Sequence, residues 1–246
     1  MHDIKAFIGR GALAGLTGGV FGAVFQWIFT EDQIRAALAI EAANSTGHGD
    51  EMFSRGTQVF GGMAAFGLYG LFIGVVFGIA CAALWATLPG SSVFARSIRL
   101  ATAGFVAWVL VPALKYPANP PAVGDPDTVG QRTSAFLLLM ALSLALAYGA
   151  WELWRQLSAR GWHGAERFAV VVGGYVFAIG IIYVGFPSNP DTIEVPAKLI
   201  WQFRLDSLAG NALLWIVMGV AFGYLGDRAA RRRQLDATRD QSSLPL

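Results

Sequence analysis

Six stretches of this chain run without a charged residue: Gly11 to Thr30, Gly56 to Ala95, Leu100 to Leu114, Thr133 to Trp151, Phe168 to Pro190 and Ser207 to Gly226. A helix needs about 20 apolar residues to cross a hydrocarbon core roughly 30 Å thick. Four of the runs meet that length, Gly56 to Ala95 with residues to spare, and Thr133 to Trp151 is marginal. Leu100 to Leu114 is short, but Arg99 and Lys115 at its ends can snorkel to the two interfaces. With 55% apolar and only 14% charged residues, the chain is far from the soluble balance of about 25% charged. Thirty glycines would weaken soluble helices, yet membrane spans tolerate them where backbones pack closely. The expected fold is therefore an all-α membrane protein with six transmembrane helices. The spans fall near 9–29, 57–86, 98–115, 133–153, 167–187 and 206–226, giving one transmembrane domain over 1–226 and a disordered basic tail over 227–246.

Orientation follows from lysine and arginine, which concentrate on the cytoplasmic side. Six spans with both termini inside put twelve of the 18 basic residues in the cytoplasm and leave six outside: Arg35, Arg55, Lys115, Arg132, Lys198 and Arg204. If the short third run failed to span, the split would be eight inside and ten outside, with the arginine-rich tail exported. Six spans, N-in and C-in, is the better solution. The first run follows a basic start, as a signal peptide does, but Phe29-Thr30-Glu31-Asp32 offers no small-residue cleavage site. It reads as an uncleaved first helix. Beyond it, Gln33 to Glu41 has an apolar side of Ile34, Leu38 and alanines and reads as an amphipathic segment on the outer surface.

The outer loops hold ten of the 16 acids, among them Asp50, Glu51, Asp125, Asp127, Asp191 and Asp206. Ordinary solvated loop charge accounts for this. So does a surface that concentrates cations, because a field of one sign raises the local counter-ion concentration.

The chain also repeats itself, as three tandem two-helix hairpins of one orientation. Each odd helix follows an arginine (Arg10, Arg99, Arg167) and ends at an aromatic (Phe29, Tyr116, Phe186). Two exits match closely, Tyr116-Pro-Ala-Asn119-Pro120 and Phe186-Pro-Ser-Asn189-Pro190. Each even helix is announced by an arginine near a glutamine: Arg55 with Gln58, Gln131 with Arg132, Gln202 with Arg204. Internal repeats are common in transporters, with sites formed where the repeats meet. Proline ends each exit by removing a backbone donor. Between Pro117 and Pro126, four prolines and Gly124 stiffen a loop that presents Asp125 and Asp127, which lowers the entropic cost of ordering it around a ligand.

The segment from Pro112 through Lys115, Tyr116, Asn119, Gly124, Asp125 and Asp127 to Gln131-Arg132-Thr133 resembles the signature loop of the CbtA family, cobalt transporter subunits of bacteria. Arg10-Gly-Ala-Leu-Ala-Gly15 and Leu199-Ile-Trp201-Gln202-Phe203-Arg204 fit the same family. The resemblance covers residues 7 to 226. It implies a cytoplasmic-membrane protein of cobalt uptake, with Co(II) as the transported ion. It also implies a small single-span partner, CbtB, that carries histidines. The family is often described with five spans, one fewer than the charge count supports.

Cobalt(II) takes imidazole and carboxylate ligands, several at a time in a selective site. Imidazole is scarce here: His2 is terminal, His163 lies in an inner loop, and only His48 faces the proposed outer side. His48 is either a solvated loop residue or a capture ligand with Asp50 and Glu51, completed by another loop such as that of Asp125 and Asp127, or by a partner chain. No charged residue lies in the middle of a span, which argues against an intramembrane proton relay. There is no nucleotide-binding loop, no Ser-His-Asp arrangement and no nucleic-acid module. Lone Cys81 excludes a disulfide frame and a cysteine metal cluster, and Arg231 to Arg233 read as an anchor on anionic lipid. Arg55, Arg132 and Arg204 would repel a cation unless paired, so they are expected to pair with outer acids such as Asp125, Asp127 and Asp206. With Gln131, Gln202, Asn119 and Asn189 they form the expected structural or gating set. The reading is a non-enzymatic subunit of divalent metal uptake, as a monomer or homo-oligomer. The alternatives are a membrane-embedded enzyme or lipid-binding protein, with the arginines on a lipid phosphate, and a non-transporting scaffold for the partner.

Overall fold

The computed structural model describes residues 4–44, 53–88, 90–121, 123–189 and 195–242. These are helical, without strands, in the order α1 (Ile4–Asn44), α2 (Arg55–Leu84), α3 (Val93–Phe105), α4 (Val111–Lys115), α5 (Val129–Ala159), α6 (Gly164–Gly185) and α7 (Ala197–Ser242). A π-helical turn, Val106–Leu110, joins α3 to α4 into one 23-residue span, Val93–Lys115. With it, six helices are long and apolar enough to cross a membrane. The third span reaches full length because it begins at Val93, inside the second apolar run, while α2 ends at Leu84. Phe60, Phe177 and Val184 are 74%, 72% and 89% exposed. Side chains so apolar and so open belong against lipid, and the chain is a multi-pass membrane protein.

Two ends differ from the sequence expectation. Residues 227–242 are not a disordered tail: α7 runs on to Ser242 over 46 residues, carried by the good helix formers Ala229, Ala230, Arg231 to Arg233, Gln234 and Leu235. Likewise α1 does not stop near residue 29, and the segment Gln33 to Glu41 continues the same 41-residue helix. At 1.5 Å per residue it is about 60 Å long, roughly twice the hydrocarbon core. Arg35 and Glu31, one turn apart, form an ion pair of 2.9 Å in that extension.

The helices contribute to two compact units. Unit 1 comprises Met1–Phe29, Asp50–Thr102 and Ala209–Leu246, and unit 2 comprises Thr30–Gly49 and Ala103–Leu208.

Unit 1 is held by a glycine seam. Gly11, Gly15 and Gly19 recur every four residues on α1, so they share one face. That face meets Gly67, Gly70, Gly74 and Gly78 of α2, with residue numbers rising on one helix as they fall on the other. The two helices are antiparallel and touch backbone to backbone: a Cβ at Gly70 would lie 2.5 Å from the carbonyl oxygen of Gly15. Lipid gives no hydrophobic drive between helices, and close backbone packing replaces it. α7 closes on both neighbours, with Gly18 of α1 against Leu214 and Gly223 against Phe94 and Ser97 of α3. The buried Ser97 hydroxyl donates to the Gly219 carbonyl at 3.0 Å. Phe7, Phe77, Trp85, Trp215 and Phe222 fill the space that remains.

In unit 2, α5 and α6 join through the buried Ser143 and the half-buried Tyr175, whose hydroxyls are 3.3 Å apart, and through Arg167, which donates to Ser158. Gly161 and Gly164, at φ +82° and +54°, make the turn between them.

Candidate functional site

The stiff proline segment is built from the end of the third span. Pro112 has no amide proton, so the helix around it cannot keep a regular ladder, and the π turn before it closes with the Val111 amide on the Val106 carbonyl. A π turn re-aims the groups that follow it. The Tyr183 hydroxyl of α6 donates to the Val111 carbonyl, and Lys115 Nζ donates back to the Tyr183 carbonyl at 2.9 Å. Tyr116 ends the helix with its amide on the Pro112 carbonyl at 2.8 Å. Its hydroxyl then donates to the carbonyl of Pro187 at 2.7 Å. The two exits that match in sequence are thus bonded to each other. Burial raises the Tyr116 phenol above its ordinary range, because the site disfavours the phenolate.

Beside this link lies a cavity of about 520 Å³ whose polar lining is Tyr116, Asn119, Arg132, Thr133 and Asn189. Its apolar wall includes Pro117, Pro120, Pro121, Val129 and Phe136. Asn119 and Asn189, equivalent positions of the two exits, therefore face one space. Arg204 of α7 holds the first of them: its Nη2 donates to Asn119 Oδ1 at 2.8 Å and its Nε to the Ala118 carbonyl at 3.3 Å. With its oxygen engaged, the Asn119 amide keeps its NH2 as the remaining donor.

Pairing of Arg204 with an outer acid is corrected by this geometry, since neutral oxygens of the proline segment occupy it. Arg132 reaches the main-chain carbonyl of Asp125 at 3.4 Å. Arg55 Nη1 donates to Gln58 Oε1 at 2.9 Å, and Gln58 Nε2 donates to the Phe53 carbonyl, so this pair secures the start of α2. Gln131 and Gln202 are exposed.

Asp125 has a local task. Its Oδ1 accepts the Asp127 amide at 2.9 Å, and its carbonyl accepts the Thr128 amide and hydroxyl. An Asx turn of this kind launches the short 3-10 turn Pro126–Thr128 and then α5. His48, Asp50 and Glu51 lie outside the described residues. Among the described residues, no three or more histidine, cysteine or acidic side chains gather in a geometry that could hold a metal ion.

Sequence reasoning missed Tyr183 and the α3 π turn. Tyr183 sits three residues before the matched exit, a position that carries no signal in one sequence. Pro112 inside an apolar span is the signal that could have shown the irregular turn.

A family model described as a probable cobalt transporter subunit, CbtA, matches residues 4–227, nearly the whole chain. No curated protein and no solved structure matches the chain.

Proposed function

The chain belongs to the CbtA family, and on that premise we propose that it is the multi-pass membrane subunit of a divalent metal uptake system whose cargo is Co(II). The observation that carries this reading is the extent of the family match, 4–227, which takes in all six spans and the proline segment. In this reading the membrane is the bacterial cytoplasmic membrane, both termini are cytoplasmic, and residues 1–226 form the membrane domain as three tandem hairpins. The family description as a subunit supports a partner, for which a small single-span, histidine-bearing chain of the CbtB type is the proposed occupant.

The cavity between the matched exits is the proposed external vestibule. Asp125 and Asp127 at its margin, with His48, Asp50 and Glu51, are the proposed capture ligands. Arg132, Asn119 and Asn189 line it, and Arg204 holds Asn119 in place; these are the proposed gating residues. The support is chemical: carboxylate and imidazole suit Co(II), and the two sequence-matched exits line one cavity, as expected of a site between repeats.

Radiolabelled Co(II) uptake by cells expressing the chain, with and without the partner, tests the function. Uptake above empty vector in at least one case is expected. Equality with empty vector in both, with the protein in the membrane, overturns it. Labelling of introduced cysteines tests the topology: positions 120–128 should react with an impermeant reagent in intact cells and 156–164 only after lysis.

A further inference from the structure

The end of unit 1 where α1 and α3 begin and α2 ends holds a second kind of site. Gly226, Ala229, Ala230 and Arg233 stand at i, i+3, i+4 and i+7 on α7, so three small residues and then a guanidinium share one face. The small residues leave a cleft opposite α1 and the end of α2. A cavity of about 250 Å³ fills it, walled by Phe7, Trp85 and Val93, with Arg10 and Arg233 as its charged groups. Arg10 is fixed there: its Nε donates to the Ala6 carbonyl at 3.0 Å and its guanidinium lies 4.8 Å from the Phe7 ring centre. On another face of α7 a cavity of about 260 Å³ repeats the theme, lined by Phe94, Tyr224, Asp227, Arg228 and Arg231. Among the described residues Asp227 is the one acid lining either space, and its Oδ1 accepts the Val93 amide at 3.0 Å, capping α3. Both cavities therefore combine aromatic or aliphatic walls with an excess of arginine, at the margin of the apolar spans.

We propose that the Arg10–Arg233 cleft binds the phosphate headgroup of an anionic phospholipid from the surrounding bilayer. The phosphate lies between the two guanidiniums, which match its oxygens in charge and fork geometry, and the first carbons of the lipid lie on Phe7, Trp85 and Val93. Basic pockets between helices at a membrane surface have this chemistry. A zwitterionic headgroup brings its own cation to the same arginines and is disfavoured. The site is separate from the proposed transport role and stands or falls without it.

Native mass spectrometry of the full chain in detergent, titrated with phosphatidylglycerol or with phosphatidylcholine of the same acyl chains, tests the proposal. Phosphatidylglycerol adducts are expected at several-fold lower lipid concentration than phosphatidylcholine adducts. Arg233→Gln, on an exposed residue, should remove most of that preference, and Arg10→Gln with it should remove the rest. Arg160→Gln, the same charge loss in unit 2, should leave it intact. Equal binding of the two lipids overturns the proposal, as does an equal loss in Arg160→Gln, which would mark general attraction to a basic surface. Should Arg10→Gln fail to fold, the Arg233→Gln and Arg160→Gln pair decides alone.

Discussion

Arg204 donates to the side-chain oxygen of Asn119 across 2.8 Å, joining the start of α7 to the proline segment 85 residues earlier in the chain. The bond does two things at once. It fixes the segment, and it sets which end of the Asn119 amide is free for the cavity.

Arg204→Gln should therefore loosen the proline segment and lower the melting temperature in detergent. A hydrogen bond to a charged group contributes about 1.5–3 kcal/mol when shielded, and partial exposure of this guanidinium reduces that to about 1 kcal/mol. Asn119→Ala should cost a similar amount. Combining the two should cost less than their sum, because they remove the same contact. Strict additivity in that double-mutant cycle would show that the pair is not coupled.

The glycine seam gives a second prediction. Gly15→Leu places a side chain where the backbone of Gly70 and Gly74 already stands, and overpacking typically costs about 1–3 kcal/mol, more where only backbone can yield. The variant should lose its monodisperse peak in size-exclusion chromatography. Gly173→Leu on α6, where a Cβ meets nothing within 4 Å, should elute normally. Equal behaviour of the two would refute the seam.

Tyr116 supplies a pH dependence. Burial raises its phenol above the usual value near 10, so the folded state holds this proton more tightly than the unfolded state. Its contribution is complete below about pH 10 and is lost as pH rises through the folded value. Between pH 9 and 11 the wild-type chain should lose more stability than Tyr116→Phe, which cannot ionise and lacks the bond to Pro187. Parallel melting curves for the two proteins would remove Tyr116 from the alkaline transition.

Much of this architecture is readable from one sequence, and the reasons are specific. Charge-free runs reveal spans because lipid excludes charge, and the matched exits at Tyr116 and Phe186 point to a shared place because both end at proline after an aromatic. What the chain hides are partners chosen in three dimensions. Arg204 is a cation among acids in the sequence, and a rule of opposite charges selects Asp206 or Asp125. The structure selects Asn119, since the bend at Pro117 to Pro121 carries that amide to the guanidinium. The seam was visible in principle at Gly11, Gly15 and Gly19, where a spacing of four gives one face, but its partner face on α2 required the fold. The tail looked disordered because charge dominates it, while its helix propensity and its covalent continuation of a stable span favour helix.

Asp125 separates a ligand from a scaffold. Its Oδ1 accepts the Asp127 amide, and an asparagine oxygen can do the same, since both side chains make Asx turns. Asp125→Asn should thus keep the turn and melt within about 0.5 kcal/mol of wild type, the usual range of surface changes. Asp125→Ala removes the acceptor and should cost about 1 kcal/mol, as loss of a cap does. Co(II) uptake responds differently if the carboxylate is a capture ligand, because asparagine supplies no charge: both variants should then lose uptake, the first with an intact melting curve. If Asp125 only shapes the start of α5, Asp125→Asn should transport normally and Asp125→Ala should fall in step with its stability. Normal uptake and normal melting in both variants would leave Asp125 neither role and shift the search for the metal ligands to His48, Asp50 and Glu51.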